Sequence, residues 1–120
     1  MTHAGFAHIT QDSVSLLLDF SHGTPQILHW GKALGAVTNA DFYAAASLEP
    51  VAHAELDDPM FNGIWRENSR GNIGRPALLG HRAGSDFSQL FEITSVTQSA
   101  THIEVVASDK AAGLEIATRY

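Results

Sequence analysis

The feature that most constrains this chain is a period of two. In "SVSLLLDF" (13–20), Val14, Leu16, Leu18 and Phe20 fall on one face and Ser13, Ser15 and Asp19 on the other, with Leu17 as the exception. Successive strand side chains point to opposite faces, so this alternation predicts a half-buried strand and excludes an amphipathic helix. "SHGTP" (21–25) ends it at Gly23 and Pro25, and "QILHWG" (26–31) predicts the second strand of a hairpin. The same period returns near the end. "FSQLFEIT" (87–94) aligns Phe87, Phe91 and Ile93, interrupted by Gln89; "THIEVVA" (101–107) aligns Ile103 and Val105; "GLEIATRY" (113–120) aligns Leu114, Ile116 and Tyr120. With the turn-like connectors "SVTQSA" and "SDKAAG" between them, these three stretches predict an antiparallel meander.

Between the two β regions lies one helical candidate, "NADFYAAASLEP" (39–50). Asn39 is placed to cap it, Phe42, Ala45 and Leu48 or Glu49 follow helical spacing, and Pro50 stops it. From Val51 to Arg75 no period holds, and so long a loop inside a compact domain points to function or to an interface. No repeat, low-complexity tract or linker divides the chain. The expected fold is therefore mainly β: an antiparallel β-sandwich with one short helix and a long irregular loop, as a single domain over 1–120. The chain stops at Tyr120 while still alternating, as expected of a cut through a larger β domain.

Composition excludes several function classes. Of 120 residues, 44% are apolar and 17% charged, which is a soluble globular balance. Seven basic against thirteen acidic residues give −6, which argues against nucleic acid and anionic membranes as partners. With no cysteine there is neither a disulfide framework nor a thiolate metal site. "MTHAGFAHITQDS" lacks the basic and apolar regions of a signal peptide, and the longest apolar run, "LLL", is far short of the roughly 20 residues of a membrane span. The expected location is the cytoplasm.

The seven histidines, at 3, 8, 22, 29, 53, 81 and 102, form no His-x-His pair and no His-Glu-x-x-His helix, so no metal or other cofactor is expected. "GSDFS" is not a Gly-x-Ser-x-Gly elbow, and "GNIGRP" is not followed by the lysine and helix of a phosphate cradle. For the carboxylates Glu55, Asp57, Asp58, Glu67 and Asp86, spacing does not show any two facing each other at the ~5–10 Å of glycoside chemistry. In "ILHWG", Trp30 has two readings: a sugar-stacking aromatic or, favoured here, a core Trp with its N–H bonded, and His29 shares the choice. "NIGRPALLGHRAGSDFSQLF" (72–91) concentrates glycines with Arg75, His81, Arg82 and Asp86. Guanidinium forks suit carboxylates or paired sugar hydroxyls. The plainer reading is a turn in which Arg82 pairs with Asp86 and His81 satisfies a backbone carbonyl.

Taken together, "PQILHWGKALG", "LDDP…IWRENSRGNIGRPALLGHRAGSDFSQLF" and the following meander resemble the N-terminal region of family 36 glycoside hydrolases, in particular the actinobacterial-type α-galactosidases. The matches include Gly74, Pro76, Leu78, Gly80, His81, Arg82, Gly84, Asp86, Phe87 and Ser88, and the resemblance covers roughly 13–115. It implies an N-terminal β-supersandwich that packs on a catalytic (β/α)8 barrel and on neighbouring subunits. The parent enzyme would be a retaining hydrolase of terminal α-galactosides. The family's two catalytic aspartates lie on the barrel, and neither its "K-W-D" nor its "C-x-G-G-G-x-R" segment occurs here. No catalytic residue is therefore assigned. Ala77 stands where the pattern has glycine, and "IWRE" where "LLPE" is common. In many members a "G-D-F-R-x-P-A" segment reaches a neighbouring subunit's active site. This chain reads "GNIGRPA", with Asn72 in the aspartate position and Gly74 in the arginine position, so that role would fall to Asn72 or Arg75. The substrate or interface candidates are thus Trp30, Trp65, Asn72, Arg75, His81, Arg82 and Asp86. The rival expectation is a free-standing carbohydrate-binding β-sandwich with Trp30, Trp65, His81 and Arg82 as its platform.

Overall fold

A computed structural model describes residues 5–46, 63–86 and 88–120. Among the described residues six strands form two three-stranded antiparallel sheets, so the fold is mainly β, as expected. The first sheet has the order β1 (Phe6–Gln11), β2 (Val14–Asp19), β3 (Gln26–Lys32), and the second the order β4 (Glu92–Gln98), β5 (Ile103–Asp109), β6 (Leu114–Arg119). One short helix, α1 (Asp41–Ala46), follows β3. Asn39 caps it as expected, its Oδ1 accepting the Asp41 N–H at 2.7 Å. The predicted end of this helix, 47–50, and the loop residues 51–62 lie outside the described residues. No helix among the described residues is long and apolar enough to cross a membrane.

The inward faces of the two sheets share one core. Ala7 and Leu18 from the first sheet, with Phe20 just after it, meet Ile103, Val105 and Ala107 of β5 and Phe91 ahead of β4; Trp65 completes the cluster. Leu18, Ile103, Val105 and Ala107 have no exposed surface, as strands enclosed between two layers require. Val14, Leu16, Leu18 and Phe20 do share a face, but Val14 is left exposed at its far end. Leu17 points the other way and is nevertheless fully buried. Segment 33–46 crosses that outer side: Ala33 N–H bonds Ser13 O, Leu34 N–H bonds Ser15 Oγ, and Tyr43 lies near His29. The apparent break in the alternation is thus the sequence of a strand covered on both faces.

Strand β1 was not expected from any period in residues 6–11. It pairs with β2 across a two-residue turn in which Asp12 and Ser13 both have positive φ, 48° and 67°, the geometry that matches strand twist in tight hairpins. Glycine or asparagine usually marks such turns, and neither is present. Of the predicted strand 87–94, Phe87 lies outside the described residues and residues 88–91 precede the strand, which begins at Glu92, although Phe91 is buried as expected. Gly63 must be glycine: it has φ +54°, and a Cβ there would sit 2.4 Å from the Pro25 carbonyl oxygen.

Candidate functional site

The loop between the sheets is built on a buried ionic root. Residues 68–70 make a 3-10 turn that ends at Gly71, which adopts the left-handed conformation. Arg70 Nε donates to Glu67 Oε2 at 2.7 Å, and both side chains are more than nine-tenths buried. The remaining valences are spent on the chain just before β4. Phe91 N–H donates to Glu67 Oε1 and Arg70 Nη2 donates to Phe91 O, each at 2.7 Å. A charged pair survives burial only when its other polar valences are met, and here the backbone meets them. Ser69 Oγ adds a bond to Gln89 O. Asp109 fastens the same junction to the β5–β6 turn, its carboxylate accepting Ala112 N–H at 3.0 Å and Leu90 N–H at 2.9 Å. These backbone donors, Ala112 first and Leu90 next, hold its carboxyl below the ordinary aspartate pKa, outweighing desolvation.

From this root the loop is folded back on itself. Ala77 N–H bonds Arg66 O at 2.8 Å. Arg82 and Ser85 exchange both backbone bonds around Ala83 and Gly84, whose φ values, 48° and 87°, are those of a tight hairpin. His81 does not satisfy a carbonyl as expected; its Nδ1 instead accepts the Gly84 N–H at 3.1 Å, because the hairpin turns that donor toward the ring. Nor do Arg82 and Asp86 pair. Among the described residues the ion pairs are Arg70–Glu67 and Arg119–Glu104. Asp86, itself at φ +55°, leaves the hairpin, while the Arg82 guanidinium lies about 4.0 Å from where a Cβ on Gly113 would be.

The seven candidates are not brought to one place. Arg75, His81, Arg82 and Asp86 are exposed on the loop, with Asn72 half-buried at its start. Ile73, Leu79 and Leu78 are exposed among them, at 101%, 64% and 44%. Trp65 lies beneath the loop in the core, 5% exposed, its Nε1 without a partner among the described residues. Trp30 is on the other sheet and 74% exposed, which overturns the favoured core reading. It faces the same side as its register partner Leu16, but the core does not extend to this end, where Val14 is also exposed. Trp65 is therefore unavailable to a surface platform with Trp30, His81 and Arg82.

Chemically, the loop offers guanidinium forks, an imidazole and apolar side chains. Glu67 is committed to Arg70 and Phe91 and is withdrawn from any acid–base role. Sequence reasoning missed two serine–histidine contacts: Ser99 Oγ to His102 Nδ1 at 2.9 Å in the exposed β4–β5 turn, and Ser15 Oγ to His8 Nε2 at 2.9 Å, which depends on the unforeseen β1. Ser15 is fully buried and also bonded to Thr10 Oγ1 and Leu34 N–H, so the contact fastens segment 33–46 and offers no nucleophile to solvent.

Comparison with known proteins gives two matches. A family model described as the glycosyl hydrolase family 36 N-terminal domain matches residues 23–120. An alpha-galactosidase of Escherichia coli is 34% identical over 97 residues, which is 80% of this chain and 13% of that protein. The chain thus spans a small part of the relative's length. No solved structure matches.

Proposed function

Because this chain belongs to the family of glycosyl hydrolase family 36 N-terminal domains, we propose that it serves an α-galactosidase-like retaining hydrolase as a non-catalytic β domain. In this reading its loop packs against the catalytic barrel and a neighbouring subunit, and the barrel supplies the chemistry on terminal α-galactosides. We further propose that it falls in the actinobacterial-type subgroup, whose pattern its "GHRAGSDFS" segment resembles. One observation carries the proposal: the loop is fixed at its root by the buried Glu67–Arg70 pair, while its described outer side exposes Ile73, Leu78, Leu79, Arg75 and Arg82. A rigid mount under an exposed apolar and cationic surface suits a contact that another surface completes.

The test is a chimera in which this chain replaces the matching segment of the E. coli alpha-galactosidase, assayed on a chromogenic α-galactoside. Retained hydrolysis and assembly are expected, both lost when Ile73, Leu78 and Leu79 are changed to Ser. A chimera that stays active and assembled with that triple change refutes the loop as the contact. The exposed Trp30 favours one second reading, a carbohydrate-binding module. Saturable heat on titrating the free chain with galactose or melibiose would establish it.

A further inference from the structure

Three residues line up across the outer face of the first sheet. His8, Leu17 and His29 are register partners on β1, β2 and β3, so the two imidazoles flank Leu17 on one side of the sheet. Segment 33–46 straps this side, and beneath it Leu17 has no exposed surface. The strap's fastenings include Ala33 N–H on Ser13 O at 2.9 Å, Leu34 N–H on Ser15 Oγ at 3.1 Å, and the Tyr43 ring 6.4 Å from that of His29. The second of these ends on the oxygen that His8 also uses. Ser15 is fully buried, and its Oγ lies 2.9 Å from His8 Nε2 and 2.7 Å from Thr10 Oγ1. A hydroxyl oxygen has two lone pairs and one proton. With a neutral His8 the set closes: Leu34 N–H and Thr10 O–H fill the lone pairs, and Ser15 donates to Nε2. A proton on Nε2 makes the ring a third donor toward the same buried oxygen, and its charge lies on the strapped face together with His29.

We propose that segment 33–46 is a pH-sensitive strap, closed over β2 while His8 is neutral and loosened when His8 takes up a proton. Loosening frees Leu34 from Ser15, lets water reach the crowded hydroxyl, and unseats α1 from the sheet. Burial, and after it the neighbouring His29, lower the His8 pKa from its ordinary 6.5. An opened strap returns the ring to water and to that ordinary value, so the open form binds the proton more tightly. The strap is therefore held fully above about pH 6.5 and less as the pH falls below it. The titratable groups on this face are His8, His29 and Tyr43. Around His8 itself, β1 contributes Thr10, β2 Ser15 and β4 the uncharged Gln98. Lys32 lends His29 its carbonyl, while its register partner Val14 belongs to the other face. Among the described residues no carboxylate is in ion-pair reach of either imidazole, so nothing there offsets the added charge.

Amide hydrogen exchange of the chain, read by NMR as protection factors at about pH 7.5 and about pH 5.5, tests this above the range in which carboxylates titrate. Expected is a fall in Leu34 protection at the lower pH while the amides of β5 keep theirs. One histidine released at one pH unit below its ordinary value changes an opening equilibrium by at most about tenfold, which bounds the fall. His8→Gln, whose amide can still bond Ser15 but takes up no proton, should show equal Leu34 protection at both pH values. His29→Gln should reduce the fall, because it removes the second imidazole from the face. Leu34 protection that is unchanged in wild type, or that falls as far in His8→Gln, overturns the proposal. A loss shared equally by β5 is global unfolding and overturns it as well. Should His8→Gln not fold, an undiminished fall in His29→Gln is the overturning result.

Discussion

Replacing Glu67 with Leu isolates the ionic root of the loop. Glu67 and Arg70 are both nearly fully buried and 2.7 Å apart, so the change removes the Glu67 carboxylate from the guanidinium and from Phe91 N–H. Breaking a buried pair from one side costs about 3–5 kcal/mol, and an orphaned buried donor about 1–3 kcal/mol, with overlap between the two. About 4 kcal/mol is the expected loss. For a domain of this size that is a fall in Tm of roughly 12–20 °C, and a large share of the 5–15 kcal/mol that typically holds a domain together. Urea unfolding in a Trp30→Phe background measures it, because the remaining Trp65 is in the core and reports its exposure. The double variant Glu67→Leu/Arg70→Met decides the cause. Removing both charges should recover about 2 kcal/mol relative to Glu67→Leu alone, since apolar pairs commonly replace buried ion pairs without loss. A cost for Glu67→Leu below about 1 kcal/mol would refute the reasoning, as would a double variant no more stable than the single one.

The two tryptophans should separate cleanly in the same assay. Trp65→Ala empties part of the core and is expected to cost about 3–5 kcal/mol, while Trp30→Ala, mostly solvent-exposed, should stay within about 0.5 kcal/mol. Asp109 sets an acid limit. Its folded pKa lies below the unfolded value of about 3.9, so its contribution is present above that pH and is lost as pH falls through the folded value. Asp109→Asn should cost about 2 kcal/mol at pH 7, and the gap to wild type should close toward pH 2 in urea titrations.

Much of the fold was legible because one period carried it. β2, β3, β5 and β6 fall within two residues of their predicted bounds, since alternation survives wherever one face meets the core. β1 was not legible: its residues alternate weakly, and Asp12-Ser13 makes a tight turn without the glycine that would announce it. Trp30 and Trp65 exchange the roles that composition suggests. An isolated "HWG" on a strand says nothing about how far the opposite sheet reaches, and "IWRE" in a polar loop hides that its Trp turns inward. That Arg70 is the one withdrawn into the interior, and that Arg82 and Asp86 part company, depended on the path of the 3-10 turn and the 82–85 hairpin, which no spacing rule reveals.

The side chain of Gln98 has a consequence for how this domain meets other chains. Its amide accepts from the backbone N–H of His8 at 3.3 Å and donates to the carbonyl of the same residue at 2.8 Å, the two bonds a neighbouring strand would make. A single glutamine thus plugs the outer rim of β1 from the opposite layer. Rims left open are where sheets recruit foreign strands and begin to aggregate. Here the protection needs neither a proline nor an inward charge, and it ties the two layers together at the point where it blocks growth. Any strand that extends the first sheet must join it elsewhere than at His8.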